Sequence, residues 1–378
     1  MKRKGCGEKV FVAMSGGVDS TVAAALLKRD GYDVSGVTMT LYLPGIYPKE
    51  IFANRLKEAR QMARALKIPH YTLDLGKDFR EWVVDDFVDE YLNARTPNPC
   101  VRCNRFIKFG RLLDYALKSG AAYLATGHYA RLVINRRQGQ VELRKARDRA
   151  KDQSYFLYSI KPSALPRLIF PLGNRLKSDV RKMAKRFGLQ RAAQREESQD
   201  ICFIPLAGYK EFIKRMGPSG KMKSGLFKLL DGEVVGEHQG IARYTIGQRD
   251  KLGLALGYPV YVYRIDKKAN TVYVGPREYL AAAGLIAHQC NFLRNPSPTR
   301  SFEADIRIRY NAPAVRGRIK PVTRQSWQVD FIKPQFAVTP GQSVVFYRGD
   351  TLLGGGLIKK SVPVGKKRRA LFPTRDRS

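Results

Sequence analysis

Acidic side chains are scarce in this 378-residue chain: 33 Asp and Glu stand against 69 Lys and Arg, a formal net charge of +36. An excess of that size excludes a protein built only for small neutral metabolites. It predicts an extended anionic partner, nucleic acid ahead of an anionic membrane surface. The charge is spread along the whole length, so it belongs to folded surface and not to one detachable arm. No apolar run approaches the ~20 residues of a membrane span. The opening, Met1 to Met14, passes through a few basic residues straight into a strand-like run, so no cleaved leader is expected. Cysteines number five, an odd count without a secretory signal, which argues against a disulfide framework. Clustered cysteines here read as reactive or metal-binding. A hydrophobic content of 44% with 10% aromatics excludes a disordered basic chain and is ample for two or three packed domains.

The apolar, β-branched run KVFVAM (9–14) and the helical run TVAAALLK (21–28) flank a glycine turn, SGGVDS. The alternation continues through strands at 34–39, 71–75 and 123–126 and helices at 51–66, 79–92 and 107–118. Strands alternating with helices imply a parallel sheet with right-handed crossovers. After Pro205, turns such as Asp231-Gly232 punctuate short strands, including 260–265 and 271–274, and 302–358 alternates like a small β-barrel. The expectation is an α/β unit over 1–205, a central domain over 206–285, a C-terminal β-barrel over 286–362 and a basic tail over 363–378.

Ser15-Gly16-Gly17-Val18-Asp19-Ser20 sits where a strand hands over to a helix, so its N–H groups and the helix N-terminus can converge on an anion. Neither the Walker A pattern nor the dinucleotide fingerprint is present. The complete string resembles the pyrophosphate-binding loop of the ATP pyrophosphatase superfamily, enzymes that adenylate a substrate and release pyrophosphate. Asp19 is either a first-turn acid favoured by the helix dipole or, as the resemblance implies, a residue beside the pyrophosphate and its Mg²⁺.

In TPNPCVRCNRFIK (96–108) two prolines within four residues forbid helix, so Cys100 and Cys103 are expected on an exposed loop. Arg102, Arg105 and Lys108 are expected to surround the pair and lower its thiol pKa values. The C-x-x-C reads as half a zinc site, a redox pair or a cluster ligand; without a second C-x-x-C or a His pair, structural zinc is disfavoured. Cys202 lies far along the chain in ESQDICFI (197–204). Cys6 and Cys290 have no partner motif and receive no role.

Taken in order, SGGVDS, Met39, TPNPCVRCNRFIKFG, ATGHYAR (125–131), KDQSYFL (151–157), ESQDICFI, GEHQG (236–240), YTIGQR (244–249), Arg309-Tyr310 and TPGQ (339–342) resemble the bacterial tRNA-specific 2-thiouridylase (MnmA) family across nearly the whole chain. The resemblance implies a tRNA-uridine 2-sulfurtransferase with an adenine nucleotide hydrolase-like N-terminal sheet. ATP would adenylate the C2 oxygen of wobble uridine 34, and sulfur would replace that oxygen to give 2-thiouridine, AMP and pyrophosphate. It implies ATP contacts from Ala13, Met14, Ser15, Gly16, Gly17, Val18, Asp19, Ser20, Met39 and Gly127, and target-base contacts from Asn98, Pro99 and Cys100. Cys202 would carry the persulfide and Cys103 would be the nucleophile, their disulfide ending the turnover.

For tRNA the resemblance implies His128, Lys151, Asp152, Gln153, Arg309, Tyr310 and Gln342. The plainer readings are a core histidine for His128, a solvated turn for 151–153, and a basic strand face shared by Arg307 and Arg309. Sulfur would come from a persulfide donor, a cysteine desulfurase or relay protein, or as free sulfide, to a cytoplasmic monomer with no membrane role. Two places depart from the family. Segment 40–50 lacks the usual tryptophan and acidic residues, and Cys100 stands where Asp is usual. Cys100, Cys103 and Cys202 can therefore be ligands of a [4Fe–4S] cluster, or Cys100 is a bystander or resolving thiol beside a persulfide pair. The competing activities are a small-molecule adenylating ligase of the same superfamily and a non-catalytic RNA-binding protein.

Overall fold

Short Val-, Leu- and Ala-rich segments build a five-stranded sheet in the order β3 (His70–Asp74), β2 (Asp33–Thr40), β1 (Lys9–Ala13), β4 (Tyr123–Ala125) and β7 (Leu168–Ile169). All four pairings are parallel, as the βα alternation predicts. The computed structural model describes residues 7–46, 49–189, 201–204, 208–218, 222–294, 300–323 and 325–365. Cys6, Glu197 to Asp200 of the ESQDICFI motif, and 366–378 of the expected tail lie outside the described residues.

Helix α1 (Val18–Arg29) follows β1 and lays Val22, Ala23 and Ala24, none of them exposed, against the sheet. The order places β2 and β3 on one side of β1 and β4 and β7 on the other. Such a reversal opens a crevice at the carboxyl ends of β1 and β4, where open α/β sheets bind ligands. Helix α2 (Lys49–Ala65) comes between β2 and β3. Gly76–Phe79, Arg80–Val84 and Asp85–Leu92 run on as a second long helix, α3.

Of the stretch expected as a loop, 96–98 is irregular, but from Pro99 onward it is instead the start of a helix. Pro99–Arg102, Cys103–Leu112 and Leu113–Lys118 continue into one another as α4, with a wider, π-type winding in the middle. Pro99 occupies the first helical turn, where its missing N–H and fixed φ are no handicap, and Asn98 is the N-cap. The helix therefore takes in both Cys100 and Cys103.

The central domain is a four-stranded sheet of β8 (Gly225–Lys228), β9 (Val234–His238), β10 (Tyr261–Asp266) and β11 (Thr271–Gly275), closed on Phe227, Val262, Val272 and Val274. The barrel comprises β12 (Ala281–Phe292), β13 (Phe302–Arg307), β14 (Val315–Thr323), β15 (Ser326–Phe336), β16 (Ser343–Arg348) and β17 (Thr351–Pro363). It closes because β17 pairs back onto β12. Its first strand begins at Ala281, ahead of residue 286.

One barrel feature is not local. A hairpin of the catalytic unit, β5 (Ala130–Ile134) with β6 (Val141–Lys145), extends the barrel sheet through the pairing of Arg144 with Thr351. Asp350 accepts from Arg131 at 2.7 Å and from Arg149 at 2.7 Å, and Asn291 Nδ2 donates to the carbonyls of Tyr158 (2.6 Å) and Ile160 (2.9 Å). The barrel is thus bonded to the catalytic unit by side chains as well as by sheet. Removing the Asn291 amide leaves two interface carbonyls without that donor. Asn291→Ala is expected to lower stability by about 1–3 kcal/mol, seen by calorimetry as an unfolding transition moved to lower temperature.

Candidate functional site

The crevice between β1 and β4 holds a cleft of about 350 Å³ walled by Ala13, Met14, Ser15, Asp19, Met39 and Gly127. Within SGGVDS the backbone folds onto the first turn of α1: Ser15 N–H donates to Ser20 Oγ (3.2 Å), and Ser20 Oγ and Thr21 Oγ1 donate to the Gly17 carbonyl (3.1 and 2.9 Å). Gly16 turns through φ +77°, a conformation open to glycine. The leading N–H groups of α1 have no intrahelical partner and are natural anion ligands. A Cβ on Gly127 would lie 2.9 Å from Asp19 C and from Ser20 N, so only glycine lets the two backbones meet.

Asp19 is held from two sides. Tyr129 Oη donates to Oδ1 at 2.8 Å, and Lys177 Nζ reaches Oδ1 and Oδ2 at 2.8 and 2.7 Å. The Lys177 side chain is only 9% exposed, so a nearly buried cation stands beside the phosphate loop. Lys177 opens α5 (Lys177–Arg186), and its N–H donates to Asp148 Oδ2 at 2.9 Å. Sequence reading did not single it out. Its one signal was the helical spacing of Val180 and Ala184 behind it, both fully buried.

Ser20, His128, Gln153, Lys108 and Cys202 line the same cleft. His128 Nε2 lies 3.5 Å from Lys108 Nζ and Nδ1 lies 2.6 Å from Thr126 Oγ1. An ammonium only donates, so Nε2 is the acceptor and Nδ1 carries the proton. Burial, helped by Lys108, pushes the imidazole well below its usual pKa, so it is neutral. It packs against Phe109 and Phe170. His128 is therefore a wall of the nucleotide cleft, partly satisfying the core-histidine reading.

The thiols correct the sequence reading. Cys103 is buried at 8% exposure among Val83, Phe87, Ile107 and Phe203. Burial pushes its pKa up to about 12, with Lys108 opposing. Cys100 and Cys202 present surface to solvent, yet the surrounding walls still raise both thiols, again against Lys108. The expected basic surround does not form because helix geometry turns it away. Arg102 pairs with Asp86 at 2.9 Å and with the Trp82 carbonyl at 2.8 Å, and Arg105 leans toward the Ser159 carbonyl. Desolvation thus outweighs the one remaining lysine. All four described cysteines are free thiols. Among the described residues no three His, Cys, Asp or Glu side chains are gathered around a single metal-ion position, yet Cys100, Cys103 and Cys202 lie near enough to act on one another's charge, with Lys108 beside them.

The remaining expected contacts are dispersed. Asn98 lines a second cavity, about 460 Å³, between α3 and the barrel, where burial raises the Asp86 carboxyl to about 6 despite Arg102. Pro99 is buried. Lys151 is half-buried in the turn at 149–151. Asp152 is 4% exposed and accepts from Ala146 N–H (2.9 Å) and Ser154 Oγ (2.9 Å), with Arg307 at 3.7 Å. It holds its own turn and is not presented to a ligand. Gln153 Oε1 accepts from Tyr129 N–H at 3.0 Å. Strand β13 ends at Arg307, so Arg307 and Arg309 do not share a strand face: Arg307 turns inward while Arg309 is exposed. Tyr310, half-buried, packs on Phe156. Gln342 Nε2 donates to the Thr96 and Pro97 carbonyls, so the amide nitrogen is engaged inside the protein.

Three known families match the chain: residues 8–206 that described as the tRNA methyl transferase HUP domain, 210–276 its PRC-barrel domain, and 282–358 the aminomethyltransferase beta-barrel domain. The tRNA-specific 2-thiouridylase MnmA of Halothermothrix orenii is 46% identical over 359 residues, 94% of this chain and 99% of that protein. That of Clostridium acetobutylicum is 44% identical over 357 residues, 93% of this chain and 99% of its own length. A solved U34-tRNA thiolase NcsA from Methanococcus maripaludis, with its [4Fe-4S] cluster, matches 57% of this chain and 66% of its own at 18% identity and TM-score 0.35, too distant to inform the chemistry.

The exposures predict an order of modification. Brief treatment with iodoacetamide at pH 8 should alkylate Cys100 and Cys202 in the native protein and spare Cys103 and Cys290 until denaturant is added. Peptide mass mapping reads the order; Cys103 labelling as fast as Cys100 would contradict its burial.

Proposed function

The chain belongs to the tRNA-specific 2-thiouridylase family, and from that premise we propose how its residues divide the work of ATP-driven tRNA thiolation. The observation that carries the division is one cleft that joins the SGGVDS loop, Asp19 with Lys177 paired behind it, and Cys202. The C2 carbonyl of uracil is a poor electrophile with a poor leaving group. Attack of its oxygen on the α-phosphorus of ATP forms a C2–O–AMP adenylate and releases pyrophosphate. Met14 and Met39 offer apolar walls for adenine, and the α1 N–H groups with Lys177 take the phosphates. Asp19 fits Mg²⁺, which commonly binds through one or two carboxylates plus substrate phosphates, and the ion would offset charge on the departing pyrophosphate.

Sulfur then needs a soft nucleophile. Cys202 carries it as a persulfide loaded by a persulfide donor, and the terminal sulfur attacks C2 and expels AMP. A second thiol attacks Cys202 Sγ, forming a disulfide and leaving the sulfur on C2 as the thiocarbonyl. The motif gives that role to Cys103, which must leave its apolar pocket to act; Cys100 is the surface thiol one turn earlier. An external thiol reductant resets the disulfide. The proposal takes the persulfide route; in the alternative, Cys100, Cys103 and Cys202 are the residues that would hold a [4Fe–4S] cluster able to deliver sulfide. Lys151, Gln153, Arg309 and Tyr310 are proposed tRNA contacts, backed by the net charge of +36. No helix among the described residues is long and apolar enough to cross a membrane. The proposed enzyme works in the cytoplasm as a monomer, a reading that rests on the family resemblance.

ATP cleavage to AMP and pyrophosphate should require tRNA lacking the modification. Cys202→Ala is expected to keep tRNA-dependent pyrophosphate release while nucleoside mass spectrometry finds no 2-thiouridine; loss of both would end its sulfur-only role. Asp19→Ala should lose both activities.

A further inference from the structure

The segment just ahead of Asn98 cannot hold itself. Pro97 and Pro99 have no N–H, so 96–99 lacks the donors for a backbone ladder of its own. Its bonds come instead from the two C-terminal domains. Thr96 N–H donates to the Pro340 carbonyl at 2.8 Å, and Thr96 Oγ1 donates to Thr245 Oγ1 of the central domain at 3.3 Å. Gln342 Nε2 donates to the carbonyls of Thr96 and Pro97 at 3.1 and 3.2 Å, which uses both of its hydrogens. The barrel turn is itself anchored, since Gly341 N–H donates to the Ile358 carbonyl (2.9 Å) and Ile358 N–H to the Gln342 carbonyl (2.8 Å). The contact is close: a Cβ on Gly341 would lie 2.8 Å from Thr96 N and 2.9 Å from Thr96 O.

We propose that Gln342 is a positioning residue for the thiolation site. Its amide sets the height and direction of 96–98, and thereby of Asn98 and the first turn of α4 with Cys100. The role rests on the proposed thiolation activity and on the target-base contacts from Asn98 to Cys100 that the family resemblance implies. It follows that the barrel serves catalysis through a segment of the catalytic unit. The same segment is bonded to the central domain through Thr245, so both C-terminal domains set its place.

The test uses the full chain, unmodified tRNA, and Gln342→Glu and Gln342→Ala. The glutamate keeps the shape but turns an acceptor toward two carbonyls. At saturating tRNA the thiolation kcat of both is expected to fall by about tenfold to a hundredfold, the range a small misplacement of reacting groups costs. The tRNA Kd should stay within about twofold, and hydrogen exchange at the Thr96 amide should speed up. A weakened Kd with kcat retained would make Gln342 a tRNA contact and overturn the proposal, as would unchanged kcat. If wild type forms no 2-thiouridine, the functional reading fails instead, and the Thr96 exchange still decides whether Gln342 holds the segment. Unchanged exchange overturns it. Should the glutamate variant not fold, the alanine variant supplies the same comparison.

Discussion

The backbone of Gly127 passes so near the start of α1 that no side chain fits between them, and the active cleft is arranged around that approach. It fixes the ends of β1 and β4 side by side where the strand order reverses. The phosphate loop leaves one strand, and Thr126 to Tyr129 leave the other. His128 then forms a wall and Tyr129 reaches Asp19, which also takes Lys177 from a helix that begins 158 residues later. A bulkier residue at 127 would separate these partners before any chemistry began.

The shortage of acidic residues has a structural counterpart. Several of the acids present are spent inside or between domains. Glu142, 2% exposed, accepts from Asn135 and Arg144 and pairs with Arg294; Asp152 holds its turn beside Arg307; Asp350 bridges Arg131 and Arg149. The buried acids among these, Glu142 and Asp152, add little net stability against an apolar alternative, yet breaking one partner is costly. Acids used this way leave the outer surface with a larger share of lysine and arginine. An RNA-facing protein gains that field without a separate basic arm.

The thiols show how burial and helix geometry can reverse an argument from neighbours in sequence. Arg102 and Arg105 flank Cys103 in the chain, but the helix carries them to Asp86, Trp82 and Ser159. Lys108 remains, and desolvation exceeds its pull. Burial keeps the Cys103 thiol protonated and so slow to react in this arrangement, while Cys100 and Cys202 reach solvent.

Much of the fold was legible in the sequence because its signals are local. Alternation of β-branched strands and alanine-rich helices announced the parallel sheet, and the intact SGGVDS string marked the glycine turn between β1 and α1. Residues 302–358 read as barrel from alternating strands and the turns that punctuate them. The helix from Pro99 was not legible, because proline at a first helical turn and proline in a loop look alike in sequence. Only the tertiary structure decided that Lys177 meets Asp19, that the β5–β6 hairpin joins the barrel sheet, that Cys103 faces inward, and that Gln342 holds Thr96 and Pro97. Those contacts span from tens to hundreds of residues. They depend on chain segments being brought together by packing, which no local pattern of side chains encodes.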